Sequence, residues 1–347
     1  MEKSTINTML EGHVYLKRYT EKSKMHRMSD RRSCMDNIAV LIPCYNEENT
    51  IEKVIEEFMK NIPGAVIYVY DNNSTDSSVE KARNAGAIVR YEKKQGKGNV
   101  IRRMFREVDA EIYIMVDADD TYPAEAATAL IEKIEDGADM AIGDRLNGTY
   151  FTENKRKFHN LGNRMVRYSI NRLFKSDIQD IMTGYRAFSY NFVKSFPVIS
   201  EGFEIETEMT IHAIDKNMRV ESVPIEYRDR CTGSVSKLNT YADGARVICT
   251  IVRMYKYYRP FVFFASIAFV LAALSILFFI PVMYSFIKTG VVEKIPTLVM
   301  CGTVMVMACL MLAIGIMLST LKNRSLCDFE YRLMQVEQEK NRIKNGK

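Results

Sequence analysis

The sequence predicts an α/β domain, in which a mostly parallel sheet carries helices on both faces, followed by a hairpin of two transmembrane helices. Two observations lead to this fold class. Residues 37 to about 230 alternate short apolar runs with stretches of helical spacing, a pattern typical of strands joined by helices. Nearer the C-terminus, the stretches 261–287 and 295–321 contain no charged residue.

The elements of the domain follow in order along the chain. An apolar run over 38–42 predicts the first strand, and apolar residues spaced by three and four predict a helix over 48–61. The same alternation predicts the later elements, which are strands over 65–70, 87–90 and 112–116, helices over 76–85 and 98–108, and a helix start at Pro123.

Composition restricts the class of protein. The net charge of +5 is mild for 347 residues and no long Lys/Arg block occurs, so a nucleic-acid partner is not expected. Seven scattered cysteines without a CxxC pair indicate reduced thiols rather than disulfides. The reduced thiols fit a domain that faces the cytosol.

The two uncharged stretches predict an integral membrane protein. Each exceeds the roughly 20 apolar residues needed to cross a bilayer, and the short segment 288–294 links them. A pair of buried helices in a soluble protein is the alternative, but such helices would show a polar face. The residues that flank the hairpin on the domain side are basic: Arg253, Lys256, Arg259, Lys322 and Arg324. The positive-inside rule therefore predicts that the domain and both termini are cytosolic.

These signals divide the chain into five segments. They are a polar N-terminal tail over 1–36, the α/β domain over 37–238, an amphipathic interfacial segment over 239–259, two transmembrane helices within 260–321 (about 261–287 and 295–321), and a cytosolic C-terminal helix over 322–347.

Three segments allow two interpretations each. The basic N-terminal tail is either solvated or an arm resting on anionic lipid. A basic amphipathic stretch over 154–175 is either another interfacial helix or an ordinary helix packed on the sheet. Apolar residues at 326, 329, 333, 336 and 343 fit a C-terminal helix that self-associates into a homo-oligomer, but the repeat is short for a coiled coil.

Three polar clusters stand at the ends of predicted strands. Residues 43–48 follow the first strand, residues 71–76 follow the second, and Asp117, Asp119 and Asp120 follow the strand over 112–116. Taken singly, the first two clusters have the composition of a helix N-cap. Because ligands of parallel α/β sheets bind at the carboxyl ends of strands, the shared location of the clusters predicts a binding cleft.

The segment "DADD" predicts a divalent-cation site. Alternate residues of an extended segment share a face, so Asp117 and Asp119 can bind one ion while Ala118 points away. Carboxylates and phosphate oxygens are hard ligands that suit Mg²⁺ or Mn²⁺. The competing interpretation is a turn and helix cap, which Asp120 and Thr121 fit. Neither a dinucleotide glycine fingerprint nor a P-loop lysine motif occurs to hold phosphates instead.

Several motifs together resemble one enzyme family. They are "IPCYNEE" (42–48), "DNNSTD" (71–76), "QGKGNVIRRMF" (95–105), "VDADDTYP" (116–123), "GDR" (143–145), "DIMTGYRAF" (180–188), "GFEIETEMTIHA" (202–213), "VPIEYRDR" (223–230) and "SVSKL" (234–238). In order and spacing they resemble the inverting family 2 glycosyltransferases of the GT-A fold. The nearest branch is that of dolichol-phosphate mannose synthase and bacterial polyprenyl-phosphate glycosyltransferases, and the resemblance covers about residues 37–260.

The resemblance implies roles for individual residues. A nucleotide-sugar site would comprise Pro43, Tyr45, Glu47, Asp71, Lys97, Asp117, Ala118, Asp119, Glu206, Arg230 and Lys237. Within it, Asp117 and Asp119 would bind Mg²⁺ or Mn²⁺ on the donor diphosphate. The catalytic residues would be Asp119, Asp180 and Arg186, and the acceptor phosphate would be bound by Arg145, Arg164 and Arg186. Glu204 and Glu206 stand two apart in a possible strand, which also fits a shared solvated face.

The expected reaction moves a hexose or an N-acetylhexosamine from a nucleotide diphosphate sugar to a polyprenyl monophosphate, of the dolichyl or undecaprenyl type, with inversion. A UDP-sugar is the favoured donor and GDP-mannose the second. The second pKa of a phosphate monoester is about 6, so the acceptor is ionised at neutral pH and needs no strong base. Asp180 would then orient the acceptor or act as a base.

Two other functions compete with this one. The first is transfer to a hydroxyl group, in glycolipid or polysaccharide synthesis. The chain contains no tryptophan, whereas processive polysaccharide synthases carry a tryptophan-containing motif. The second is a non-catalytic membrane scaffold that keeps the fold, against which the intact Asp117 and Asp119 argue.

Overall fold

The computed structural model describes residues 35–145, 167–174, 176–202, 204–228, 252, 255–292 and 294–344. Within these ranges the sheet has the strands β1 (Asp36–Cys44), β2 (Val66–Asp71), β3 (Ile88–Tyr91), β4 (Ala110–Met115), β5 (Met140–Asp144), β6 (Arg186–Ser189) and β7 (Val220–Pro224). The helices are α1 (Ile51–Asn61), α2 (Ser78–Asn84), α3 (Lys97–Glu107), α4 (Ala127–Glu135), α5 (Tyr190–Ser195), α6 (Ile205–Asp215), α7 (Pro260–Thr289) and α8 (Ile295–Lys344). Residues 167–174 are also helical, and a 3₁₀ turn over Ala124–Ala126 follows Pro123.

The sheet confirms the predicted fold class. Its strand order is β3-β2-β1-β4-β6-β5-β7. Neighbouring strands are parallel except at β6, which runs antiparallel to both β4 and β5. Every strand and helix predicted up to Pro123 is present, with ends that differ by a few residues. The sheet is therefore mostly parallel and belongs to the architecture that the alternating pattern predicted.

The two faces of the sheet are covered by different helices. On β1, Ala39 and Leu41 join the apolar cluster that contains residues of α3, α5 and α6, while Val40 and Ile42 join the cluster that contains residues of α1, α2 and α4. Successive side chains of a strand point to opposite faces, so a strand covered on both sides is apolar throughout. This explains why the first strand reads as an uninterrupted apolar run.

The C-terminal helices form the predicted hairpin. Helix α7 has 30 residues and α8 has 50, and their most apolar windows have mean hydropathies of 2.7 and 2.5. Both are long and apolar enough to cross a membrane. Only 11% of each window is buried, whereas a core helix of a soluble protein would be mostly covered.

The C-terminal segment differs from its prediction in two respects. It is not a separate helix over 322–347, because α8 continues without a break from Ile295 to Lys344. Its apolar residues Phe329 and Val336 are buried against the α/β domain of the same chain, and Leu333 and Ile343 pack beside them. The face that suggested self-association is thus covered within the chain, and a homo-oligomer remains a prediction.

Other predictions are corrected or lie outside the described residues. Glu204 and Glu206 are not on a strand, because Glu204 immediately precedes α6 and Glu206 lies in its first turn. Of the basic stretch 154–175, residues 167–174 are described and helical, and Ile170 and Leu173 belong to the core. The N-terminal tail up to residue 34 and most of the segment 239–259 lie outside the described ranges.

Candidate active site

The first two polar clusters meet at one edge of the sheet. Strands β1 and β2 are parallel and in a register that sets Cys44 beside Asp71, so the segments after them are neighbours. The backbone N–H of Asn46 donates to Ser74 Oγ at 2.9 Å, and the N–H of Thr75 donates to Asn46 Oδ1 at 2.8 Å. Asn46 has a φ of 54°, a left-handed conformation that asparagine tolerates better than most residues. The two segments therefore hold each other in place.

Asn72 joins the second cluster to the loop before Lys97. It is buried, and its Nδ2 donates to the carbonyls of Glu92 and Lys94, each at 2.8 Å. Its Oδ1 accepts from the N–H of Gly96 at 2.8 Å. The sequence assigned no separate role to Asn72 within the cluster 71–76. The hydrogen bonds of the Asn72 side chain fix the conformation of the loop before Lys97.

The glycines around Lys97 allow a close approach of two loops. A Cβ at Gly98 would lie 2.1 Å from the carbonyl oxygen of Ser200, and a Cβ at Gly96 would lie 2.3 Å from that of Glu201. The N–H of Gly98 donates to the Glu201 carbonyl at 3.0 Å. Only residues without a side chain fit here, which explains the pattern "QGKGN".

Lys97 bridges two carboxylates inside the cleft. Its Nζ lies 2.5 Å from Asp117 Oδ1 and 2.7 Å from Glu206 Oε1. Burial by itself would lower the pKa of Lys97, but the charges of Asp117 and Glu206 outweigh it and raise the pKa above its usual range. Lys97 is therefore a permanent cation, and it brings together three residues that the sequence predicted as parts of one site.

Asp117 and Asp119, the predicted metal ligands, stand on either side of a core residue. Asp119 is buried, and its Oδ1 accepts from Thr121 Oγ1 at 2.6 Å. The side chain of Ala118 between them belongs to the apolar core, so it points away from the two carboxylates. Its carbonyl accepts from Thr50 Oγ1 at 2.7 Å. Ala118 can therefore contribute to a nucleotide-sugar site only through its backbone.

The donor set fits a hard divalent cation that shares its coordination with a substrate. Among the described residues, no group of three or more His, Cys, Asp or Glu side chains is arranged to hold an ion alone. Two carboxylates with room for phosphate oxygens and water are typical of Mg²⁺ sites at nucleotides. Asp117 and Asp119 are the residues that would hold such an ion.

Asp120 has a structural role, which offsets the repulsion among the crowded carboxylates of this turn. Its carboxylate forms ion pairs with Lys53 and with Arg228, whose Nη1 lies 3.2 Å from Asp120 Oδ1. Arg228 also contacts Glu57 at 2.9 Å, and its backbone N–H donates to the Thr121 carbonyl at 3.0 Å. Asp120 has a φ of 57° and stands in the turn that was predicted for it. It thus ties the acidic turn to the segment after β7.

Asp180 is bound by Arg145. Arg145 Nε lies 2.7 Å from Asp180 Oδ2 and Nη2 lies 3.1 Å from Oδ1, a two-point contact. The guanidinium also lies over the ring of Tyr227, with Cζ 5.4 Å from the ring centre. Arg145 donates to the hydroxyl of Tyr122 at 3.3 Å. The arrangement orients Arg145 next to the turn that carries Asp117 and Asp119.

Arg186 does not face the cleft. It is completely buried, and its guanidinium donates to the carbonyls of Ile181 at 2.6 Å and Thr183 at 3.0 Å, and to Thr210 Oγ1 at 2.8 Å. Burial lowers the pKa of Arg186 to about 10. The predicted contact with the acceptor phosphate does not fit this position. Arg186 instead supports the loop 180–184, in which Gly184 approaches Asp117 so closely that a Cβ would lie 2.4 Å from Asp117 Oδ2.

The remaining predicted residues are placed as follows. Tyr45 is exposed at the edge of the sheet, Pro43 is partly buried, and Glu47 Oε2 accepts from Thr50 Oγ1 at 3.3 Å. Asp71 is buried and accepts from the N–H of Ser74 at 3.2 Å. Arg164, Arg230 and Lys237 lie outside the described residues.

Comparison with known proteins identifies the class to which this domain belongs. The Glycosyl transferase family 2 pattern matches residues 39–196, which contain the three polar clusters and Arg145. Glycosyltransferase AglJ of Haloferax volcanii is 30% identical over 265 residues, which cover 75% of this chain and 86% of AglJ. The chain therefore belongs to glycosyltransferase family 2.

Two further comparisons describe the relatives and the fold. Dolichyl-phosphate hexose transferase of Haloferax volcanii is 29% identical over 219 residues, which cover 63% of this chain and 94% of that protein. A crystal structure of glucosyl-3-phosphoglycerate synthase from Mycobacterium tuberculosis, with Mn²⁺, UDP-glucose and phosphoglyceric acid, superposes with a TM-score of 0.52 at 21% identity. It covers 63% of this chain and 79% of its own, and it supports the GT-A fold.

Proposed function

We propose that this glycosyltransferase moves a hexosyl or N-acetylhexosaminyl group from a nucleotide diphosphate sugar to a polyprenyl monophosphate, with inversion and with Mg²⁺ or Mn²⁺. The observation that carries the proposal is that an acidic turn and an arginine lie close together at one edge of the sheet. Asp117 and Asp119 form an acidic turn suited to a cation, and Arg145 stands oriented beside it.

The donor would bind along the ends of β1, β2 and β4. Pro43, Tyr45, Glu47 and Asp71 line the ends of β1 and β2 and would contact the base and ribose. Asp117 and Asp119 would hold the divalent ion, which supplies positive charge to the departing diphosphate. Lys97 adds a fixed cation on the same side and keeps Asp117 oriented. A UDP-sugar is our first choice of donor, because a structural neighbour binds UDP-glucose, and GDP-mannose is the second.

The acceptor would bind at Arg145. A guanidinium suits phosphate oxygens, and Asp180 fixes its orientation through two hydrogen bonds. Because both oxygens of Asp180 are already bound, we assign Asp180 to positioning rather than to proton transfer. A phosphate acceptor, which needs no strong base, agrees with that assignment, whereas a hydroxyl acceptor would need one. Relatives named for dolichyl phosphate support the same acceptor class.

The protein would work at a membrane. Helices α7 and α8 are long and apolar enough to form a transmembrane hairpin, and the basic residues beside them favour a cytosolic catalytic domain with both termini on the same side. The polyprenyl chain of the acceptor would lie in the bilayer, with its phosphate presented to the domain.

The test uses the full chain in liposomes that contain undecaprenyl phosphate. Radiolabelled UDP-glucose, UDP-N-acetylglucosamine and GDP-mannose are supplied in turn, and lipid-linked sugar is extracted and counted. We expect one donor to label the lipid, and we expect EDTA and Asp119→Asn to abolish the product. Asp136→Asn, on an exposed turn after α4, is the matched control and should leave the product unchanged. Absence of lipid-linked sugar with every donor would refute the proposal.

A further inference from the structure

Helix α8 carries one stripe of buried residues along its whole length. The buried residues are Cys301, Ala308, Gly315, Phe329 and Val336, and each follows the one before by seven residues or by fourteen. Lys322 and Ile343 continue the same spacing. Residues seven apart on a helix lie on nearly the same face. The stripe passes without interruption from the apolar half of α8 into its polar half.

The apolar half of the stripe packs on α7 through small residues. Ser275 Oγ donates to the Cys301 carbonyl at 2.8 Å, and a Cβ at Gly315 would lie 3.0 Å from Phe264 Cβ. Three of the four buried residues of α7 have the same spacing, with Ala268, Ser275 and Val282 seven apart. Small residues let two membrane helices approach closely. The two helices therefore form one tightly packed unit.

The polar half of the stripe packs on the catalytic domain through large residues. The Phe329 ring lies 5.4 Å from the His212 ring, and Lys216 Nζ lies 5.5 Å from the Phe329 ring centre. Further along, Asn191 Nδ2 donates to Glu337 Oε1 at 3.1 Å. The last turn is fixed by Lys344, whose Nζ lies 2.8 Å from Glu111 Oε1. The helix is thus attached to the domain from Phe329 to its end.

Lys322 is the residue of α8 at which the packing partner of the stripe changes from α7 to the catalytic domain. Its Nζ lies 2.8 Å from Asp215 Oδ1 at the end of α6, and it donates to the carbonyl of Tyr258 at 2.6 Å, just before α7. A straight helix drifts by about 20° for each seven-residue repeat, so one stripe can serve partners on different sides of the helix. Here the hairpin, the domain and α8 meet at one point.

The same junction is connected to the proposed acceptor side of the cleft. Arg259 Nε donates to the Leu173 carbonyl at 3.2 Å, and the rings of Phe174 and Tyr258 lie 5.4 Å apart. Leu173 packs in the same core as Ile178, and two residues later comes Asp180. A short packed segment therefore links the start of α7 to the residue that orients Arg145.

We infer that α8 is a rigid strut that sets the height and orientation of the cleft above the bilayer. This inference rests on the proposed function, in which the acceptor phosphate is presented from the bilayer. A cleft that must meet a headgroup at a fixed depth needs such a strut. A cleft that takes a soluble phosphate does not.

The test shifts the helical phase of the buried stripe of α8 without changing any residue of the candidate active site. One alanine inserted between Asn323 and Arg324, both exposed, rotates the helix beyond it by about 100° and moves Phe329 and Val336 off the domain. The matched control contains the same insertion together with deletion of Cys327, which is also exposed, so that the phase is restored from Asp328 onwards.

Two acceptors and one structural measurement separate the outcomes. With undecaprenyl phosphate in liposomes, we expect the rate of sugar transfer by the phase-broken variant to fall about 100-fold, because small displacements of reacting groups cause losses of that size. The control variant should transfer sugar at the rate of the parent chain. With geranyl phosphate, which is water-soluble, both should equal the parent chain. Crosslinking of Asn191→Cys to Glu337→Cys by a short bis-maleimide, absent from either single variant, should disappear only when the phase is broken.

Three results would overturn the inference. They are equal transfer to the liposome acceptor by both variants, equal loss with both acceptors by the phase-broken variant, and an intact crosslink in that variant. If the parent chain transfers sugar to neither phosphate acceptor, the proposed function fails instead. That outcome is recognised before any variant is compared.

Discussion

Arg145 holds Asp180 with two hydrogen bonds, one of 2.7 Å from Nε and one of 3.1 Å from Nη2. The Asp180 carboxylate is buried and also accepts from the N–H of Met182 at 3.2 Å. Each of its oxygens thus has hydrogen-bond partners within the protein. The two side chains act as one unit, in which Asp180 fixes the orientation of Arg145 and Arg145 keeps its positive charge.

Replacing Asp180 by asparagine should therefore weaken acceptor use without changing the form of the pH profile. Loss of a charge-assisted hydrogen bond, worth about 1.5–3 kcal/mol, should reduce kcat/KM for the polyprenyl phosphate by about 10- to 100-fold. Initial rates at several pH values measure both quantities. The exposed Asp177→Asn is the control and should behave as the parent chain. Disappearance of one limb of the pH profile would instead identify Asp180 as a base.

Gly184→Ala should weaken metal binding. The new Cβ would lie 2.4 Å from Asp117 Oδ2, so Asp117 must move from its place beside Asp119. We expect the Mn²⁺ concentration for half-maximal activity to rise by about tenfold, which corresponds to about 1.4 kcal/mol. Gly302→Ala is the matched control, since a Cβ there meets nothing within 4 Å. An unchanged metal requirement would show that Asp117 tolerates displacement.

Lys97→Met should be damaging because it leaves the buried carboxylate of Glu206 and the partly buried carboxylate of Asp117 without their cation. Breaking one partner of a buried pair typically costs about 3–5 kcal/mol, and thermal unfolding of the domain should record a loss of that order. Lys94→Met is the control, because its contact with Glu201 is exposed and long, at 3.6 Å.

Adding Glu206→Gln to Lys97→Met separates stability from activity. The double variant removes one of the two uncompensated charges and should recover part of the thermal stability. Glycosyl transfer should remain low, since the cation beside Asp117 is still missing. Full recovery of transfer would mean that Lys97 serves the fold alone.

His212 should make the protein less stable in acid. Burial, followed by the charge of Lys216, lowers its pKa from 6.5 to about 4, so between these values the unfolded chain binds more protons than the folded one. Stability then falls as the pH falls from about 6.5 to 4, by up to about 1.4 kcal/mol per pH unit.

His212→Phe removes this titration and keeps an aromatic ring against Phe329. The unfolding temperature of the variant, followed from pH 7 to pH 4, should decline less steeply than that of the parent chain. The slopes are compared rather than the absolute values, because the substitution also changes the packing. Parallel slopes would assign the acid sensitivity to other groups.

Much of the α/β domain was predictable because its signals are local. The apolar runs of β1, β2 and β4 and the spacing in α1 and α3 depend on residues close in sequence, and each element is present. The meeting of Asp71 with Asp117 and Asp119 at one edge followed from the general behaviour of parallel sheets. These parts of the candidate site were accessible from the sequence alone.

Other parts depend on contacts between distant residues. Arg186 resembles a phosphate ligand in the motif, but carbonyls of the loop 180–184 and Thr210 enclose its guanidinium. Glu206 is on a helix because α6 packs on the sheet, and its partner Lys97 is more than 100 residues away. The role of Asn72 likewise depends on a loop some 20 residues further along.

The hydrogen bonds of the Asn72 side chain have a thermodynamic consequence for substrate binding. Its amide is bound to the carbonyls of Glu92 and Lys94 and to the N–H of Gly96, so contacts within the protein itself fix the conformation of this loop. A nucleotide bound there, as we propose, would have little chain entropy to overcome in this loop, so a larger share of its contact energy would appear as affinity.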